Sequence, residues 1–217
     1  MARGVKTDNH SLGPKLALRR HFLTKYHADG SADVLDCCQG GGVLWSRLRA
    51  EFPVRSYWGL DLKPKPGRLK LDSARVLAQP GWAQNVIDID TYGSPWKHWL
   101  ALLPNVTRPT TVFLTVGKPI LARGGRGISG AELTALGLTF PSLNTPAAFG
   151  PALASLSVAP LLNESSKYAI MLIEPLEAIS DGNARYFGLR LVPAIHADGG
   201  VSPPPSAVKP KRGKRRG

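Results

Sequence analysis

The sequence predicts a doubly wound α/β domain whose mostly parallel, seven-stranded sheet ends in a C-terminal antiparallel hairpin. Three observations carry this reading. Short apolar runs of strand length alternate with segments of helical period through most of the chain. Several of those runs end in an acidic residue followed by glycine, serine or a turn signal. The last two strand candidates are joined only by "EAISDGN", too short for a crossover helix, so they must pair antiparallel.

The elements follow in order. "KLALRRHFLTKYH" (Lys15–His27) places Leu16, Leu18, Phe22 and Leu23 at helical spacing. After the turn signal "ADGS", "ADVLDCC" is a buried strand. "VLWSRLRAEF" is a helix carrying Leu44, Leu48 and Phe52 on its apolar side. "SYWGLDL" reads as the second strand, "RLKLDS" as a short third, and "SARVLAQ" as a small helix. "NVIDID" is the fourth strand. "SPWKHWLALL" is a helix with Ser94 as N-cap and Pro95 in its first turn, and "TTVFLTVG" is the fifth strand. "KYAIMLIEPL" and "ARYFGLRLV" form the terminal hairpin at the sheet edge. The intervening segment, 118–166, is rich in Gly, Ala and Pro and reads as a connector or a substrate loop, with Arg123 and Arg126 set among Gly124, Gly125, Gly127 and Gly130 and preceded by Gly117.

Composition narrows the function. The 217 residues suit one domain, here 1–198, followed by a tail over 199–217 that has nothing to bury and is expected to be disordered. No window approaches the ~20 apolar residues of a membrane span and no secretory signal is visible, so a cytoplasmic location is expected. Cys37 and Cys38 are adjacent and lack the companions of a zinc site. The net charge of +13 favours a polyanionic partner, RNA or DNA, because each neutralised phosphate releases counterions. Lys209, Lys211, Arg212, Lys214, Arg215 and Arg216 supply six of the tail's charges and leave +7 on the body. A flexible arm of this kind contacts phosphates without reading bases.

The strand ends carry the chemistry. "ADVLDCCQGGGVLW" is a strand ending in Asp36, then a turn with Gly40 and Gly42 that opens a helix, the arrangement that lets backbone approach a nucleotide-like ligand. Asp61 ends the second strand 21 residues after Gly40, a spacing suited to ribose hydroxyls. Asp72 and Ser73 close the third. An NAD-type G-x-G-x-x-G is broken by Trp45, and a phosphate-loop G-K-[ST] is absent.

On these residues the chain resembles a Rossmann-like S-adenosylmethionine-dependent methyltransferase of class I. Asp36, Gly40 and Gly42 match that family's first strand and glycine loop, with Cys38 at the place of the usual earlier glycine. Asp61 matches the ribose-binding acid, and Asp72 the residue that meets the adenine amino group. The resemblance implies S-adenosylmethionine as cofactor, bound by Asp36, Gly40, Gly42, Asp61, Asp72 and Ser73.

After the fourth strand, "DTYGSP" is similar to the D-P-F-G-S-P motif of tRNA guanine-N2 dimethyltransferases, with Thr91 in place of proline. This implies catalytic roles for Asp90, Tyr92, Ser94 and Pro95 in methyl transfer to an exocyclic base nitrogen. Asp90 would accept the amino N–H bonds and Tyr92 would stack on the base. The alternative for these residues is structural: Asp90 caps the following helix and Tyr92 packs in the core. The alternative for the whole chain is a catalytically inactive nucleic-acid-binding protein that keeps the fold. Trp96 and Trp99 read as core, and His98 as a surface residue, with a position facing the substrate from the helix after the motif as its alternative.

Overall fold

Seven strands form one sheet in the computed structural model, which describes residues 11–66, 68–91, 94–117, 158–178 and 184–194. They are β1 (Ala32–Asp36), β2 (Val54–Asp61), β3 (Leu69–Lys70), β4 (Val86–Ile89), β5 (Thr110–Gly117), β6 (Ile170–Ala178) and β7 (Ala184–Pro193). Their spatial order is β3-β2-β1-β4-β5-β7-β6. The first five are parallel. β7 slots antiparallel between β5 and β6, so the expected hairpin is present and only β6 lies at the edge.

The helices are α1 (Leu12–Tyr26), α2 (Val43–Glu51), α3 (Ser73–Leu77), α4 (Trp96–Leu102) and α5 (Val158–Asn163). None of the described helices is long and apolar enough to cross a membrane. Every residue of β1 and β4 is buried, as is β5 up to its last residue, which is why these segments read as continuous apolar runs. Alternate side chains feed two layers. Leu35, Ile87, Val112 and Leu114 face Trp96, Trp99 and Leu161; Val34, Val86 and Phe113 face Leu18, Phe22, Trp45 and Leu48. The Phe22 ring meets Phe113 edge-on at 5.7 Å and lies flat enough against β7 that a Cβ at Gly188 would run into it.

Two details depart from the sequence reading. The end of the 118–166 segment is not a connector: 158–163 is α5 and Glu164–Tyr168 a 3-10 turn, because Leu161 and Leu162 bury against the α4 layer and Leu161 O accepts from Trp99 Nε1 at 2.7 Å. In β6 a bulge between Ile173 and Leu176 puts Glu174 at φ +51°, where its carboxylate accepts from His21, Lys25 and Tyr26 and clamps the edge strand to α1.

α1 carries one charge on its buried stripe. Arg19 is 1% exposed, and its Nε and Nη2 donate to Asp88 Oδ2 and Oδ1 at 2.7 and 2.6 Å. Trp45 Nε1 of α2 donates to Asp88 Oδ2 at 2.7 Å, and the guanidinium lies 4.9 Å over the Phe113 ring. One carboxylate of β4 therefore holds both helices of that layer. Removing one partner leaves a buried charge unpaired, so Arg19→Met is expected to lower the unfolding free energy in urea by about 3–5 kcal/mol. Arg20→Met, which removes the exposed pair with Glu51, should cost less than about 1 kcal/mol.

Candidate cofactor and active site

The carboxyl ends of the parallel strands converge on the turn between β1 and α2. Cys37 N–H donates to Asp88 O and Gln39 N–H to Leu60 O, at 2.8 and 2.9 Å, so the turn is stitched to β4 and β2. Gly40 and Gly42 have φ of +48° and +68°, in the left-handed region that glycine adopts without penalty. Gly40 N–H donates to Asp61 Oδ2 at 2.9 Å and Lys63 N–H to Oδ1 at 2.8 Å. Each Asp61 oxygen keeps a lone pair for a further donor. Ser73 Oγ–H donates to Cys37 O at 2.7 Å and ties the start of α3 to the same turn.

Asp72 caps α3 by accepting from Ala74 N–H at 3.0 Å, with Lys97 and Arg75 near its other oxygen at 3.5 and 3.7 Å. Burial pushes its carboxyl up, but Lys97 and the backbone donors outweigh this and hold it below the usual range. A cavity of about 430 Å³ lies beside it, walled by Leu62, Leu71 and Val76. Lys70, Arg75 and Gln79 complete its lining, so the apolar walls suit a flat heterocycle while Asp72 is one of several polar groups around it.

Deeper in the sheet, Asp36, Asp88 and Asp90 gather around two cations of α1. Lys15 Nζ donates to both Asp90 oxygens at 2.7 Å, one turn before Arg19 reaches Asp88. Burial raises the Asp90 carboxyl, but Lys15 and Arg19 win and hold it below its ordinary value. Its side chain remains 24% exposed. Asp36 has no cation of its own. Burial, then the charges of Asp88 and Asp90, push it up to about 8, so it keeps a proton at neutral pH while Tyr57 O–H donates to its Oδ2 at 2.8 Å.

The other predicted site residues divide. Asp90 does not cap α4. That helix starts at Trp96 with Pro95 at the cap position, and Ser94 Oγ accepts Trp96 N–H at 3.4 Å from one residue further out. Trp96 and Trp99 are core. His98 is not a surface residue: Nε2 lies 3.0 Å from Ser73 Oγ, and burial, then Lys97, lowers its pKa to about 4. Its Nδ1, on α4, and Thr91 Oγ1, just past β4, are buried without a hydrogen-bond partner among the described residues. Tyr92, Arg123, Arg126 and the tail residues Lys209, Lys211, Arg212, Lys214, Arg215 and Arg216 lie outside the described residues.

Lys15, Arg19, Asp88 and Tyr57 escaped the sequence reading. The available signal was the pair Lys15 and Arg19 at i, i+4, with Arg19 on an otherwise apolar helix stripe.

The proton on Asp36 makes a pH test. The folded carboxyl holds a proton that the unfolded chain releases near pH 4, so its stabilising contribution is complete at low pH and lost as pH rises toward about 8. Relative to Asp36→Asn, the wild type should lose up to about 1.4 kcal/mol per pH unit between about pH 5 and pH 7 in urea unfolding. Parallel profiles for the two proteins would mean that Asp36 is ionised.

No protein-family model matches the chain, and no curated protein matches it. Among solved structures it is similar to Trm1 from Pyrococcus horikoshii in complex with S-adenosyl-L-methionine, with 17% identity and a TM-score of 0.54 over 83% of this chain and 56% of that one. The chain therefore spans little more than half the length of Trm1. It is also similar to the plantazolicin methyltransferase BamL in complex with a triazolic desmethylPZN analog and SAH, with 10% identity and a TM-score of 0.53 over 85% and 87%. A third likeness is to the plantazolicin methyltransferase BpumL, with 12% identity and a TM-score of 0.50 over 86% and 88%. Strand order, the reversed β7 and these likenesses together give the chain the class I methyltransferase fold.

Proposed function

We propose that this protein is an S-adenosylmethionine-dependent methyltransferase acting on nucleic acid, with an exocyclic base nitrogen as the methyl acceptor. The observation that carries the reading is the row of carboxylates at the ends of the parallel strands, each held in a different protonation or hydrogen-bonding state.

In this reading Asp36, Gly40, Gly42, Asp61, Asp72 and Ser73 hold the cofactor. The free lone pairs of Asp61 accept ribose hydroxyls, and Asp72 accepts an amino group in the Leu62–Leu71–Val76 cavity. S-adenosylmethionine supplies an electrophilic methyl group. A base amino group is a poor nucleophile because its lone pair is delocalised into the ring. Asp90, kept ionised by Lys15 and Arg19, accepts N–H from that group and stabilises the positive charge that grows on it. It acts as an acceptor and not as a store of protons, because a carboxyl held low does not keep a proton at neutral pH, so the proton that the methylated nitrogen gives up passes on to water. Tyr92, Ser94 and Pro95 belong to the same motif, with Tyr92 assigned to stacking on the base. The basic residues Arg123, Arg126 and those of the 199–217 tail are assigned to phosphates, on the strength of the +13 charge.

One observation favours the inactive nucleic-acid-binding alternative: both Asp90 oxygens already accept from Lys15, so a substrate amino group must share them. Incubation with methyl-labelled cofactor and mixed RNA and DNA, followed by nucleoside analysis, separates the two readings. The enzyme reading expects label on a base in the wild type. For Asp90→Ala it expects a fall of about 10²–10³ in turnover, with nucleic-acid affinity nearly unchanged. Binding without any transferred label in the wild type would replace it with the inactive-binder reading.

A further inference from the structure

The connection between β2 and β3 has only seven residues, 62–68, too few for a crossover helix. The helix layer beside α2 therefore has a gap, and a second cavity of about 430 Å³ opens there, lined among others by Gln39, Gly42, Ser46, Arg49, Tyr57 and Arg68. It holds no carboxylate. The Arg49 guanidinium lies over the Tyr57 ring, 5.0 Å from its centroid, and a guanidinium on a ring face can still donate to an anion. Arg68 donates to Gly40 O and Gly41 O at 2.8 and 3.1 Å, using two of its five donors, and its guanidinium fills the space where a Cβ of Gly42 would stand. Lys65 Nζ sits 3.8 Å from the Cβ position of Gly41.

No acid of the described residues forms an ion pair with Arg49, Lys65 or Arg68, and the first turn of α2 carries none. Three other guanidinium groups of the chain fork onto acids instead: Arg20 onto Glu51, Arg55 onto Asp33 and Arg185 onto Glu177. Cations gathered around a polar cavity repel one another until an anion enters. A guanidinium fork matches the paired oxygens of a phosphate. The cavity adjoins the glycine turn, and Tyr57, which forms its wall, bonds Asp36 on the other side.

We infer that this cavity is a phosphate site that takes a backbone phosphate of the polynucleotide substrate next to the cofactor turn. The inference rests on the nucleic-acid reading above and names where the strand is gripped. Arg49 is exposed, so replacing it should leave the fold intact, and an amide-proton spectrum verifies this.

The test has two arms. In the first, inorganic phosphate is titrated into the wild type against chloride at constant ionic strength. Saturable shifts are expected at the Gly42 and Ser46 amides, weakened at least about fivefold by Arg49→Gln and largely restored by Arg49→Lys, since a charge-assisted hydrogen bond is lost and then a charge regained. Shifts that are absent, or equal in chloride, overturn the site. In the second arm, labelled RNA and DNA oligonucleotides are bound over a salt series. Arg49→Gln should make the slope of log K against log salt shallower by about 0.7–0.9. Phosphate binding with an unchanged slope overturns the polynucleotide assignment and places the phosphate on a small molecule. A wild type that binds phosphate but no oligonucleotide overturns that assignment and the nucleic-acid reading on which it rests.

Discussion

The site depends on a buried ion pair. Arg19 and Asp88 are both almost fully enclosed, and taking two charges out of water costs several kcal/mol per ion before their attraction offsets it. That cost is met by geometry: a two-point fork, a third donor from Trp45 and the face of Phe113. The consequence for function is positional. With Arg19 fixed, Lys15 one turn earlier meets the next carboxylate of the chain, Asp90, just past the end of β4. Three acids then share two cations, and the one left over, Asp36, resolves the imbalance by keeping its proton.

A second set of bonds fixes the turn on which a cofactor would lie. Asp61 from β2, Ser73 from α3 and Arg68 from the 62–68 connection all hold the backbone of residues 37–41. Gly59 belongs to the same device, since the Gln39 side chain occupies the space a Cβ there would need. The turn is thus held from three directions, which is preorganisation in the sense that little ordering remains to be done when a ligand arrives.

Much of this architecture was legible because parallel strands buried on both faces leave an unmistakable apolar run, as in "VIDI" and "TTVFLTV". Acids at the ends of parallel strands must gather at one edge, which is how Asp36, after a fully buried run, and Asp61 and Asp72, after the more exposed β2 and β3, were placed together from the sequence. What could not be read were partnerships across long stretches of chain. Arg19 meets Asp88 across 69 residues and Lys15 meets Asp90 across 75. Nothing local to "NVIDID" distinguishes Asp88, the acid that locks two helices, from Asp90, the acid that pairs with Lys15. His98 was misplaced for the same reason: its burial is set by Ser73 and the α3 layer, and helical spacing alone left it on the surface. The helical turn at 158–163 was hidden by its Gly-, Ala- and Pro-rich approach, and only Leu161 against Trp99 marks it as part of the core.

The central claim is that these strand ends form a cofactor site and not only a rigid edge. Isothermal titration of the full chain with S-adenosylmethionine, and separately with its demethylated product, tests it most directly. The account predicts saturable heat with one molecule bound per chain, lost in Asp61→Ala. An absence of heat at high micromolar ligand from the folded wild type would contradict it.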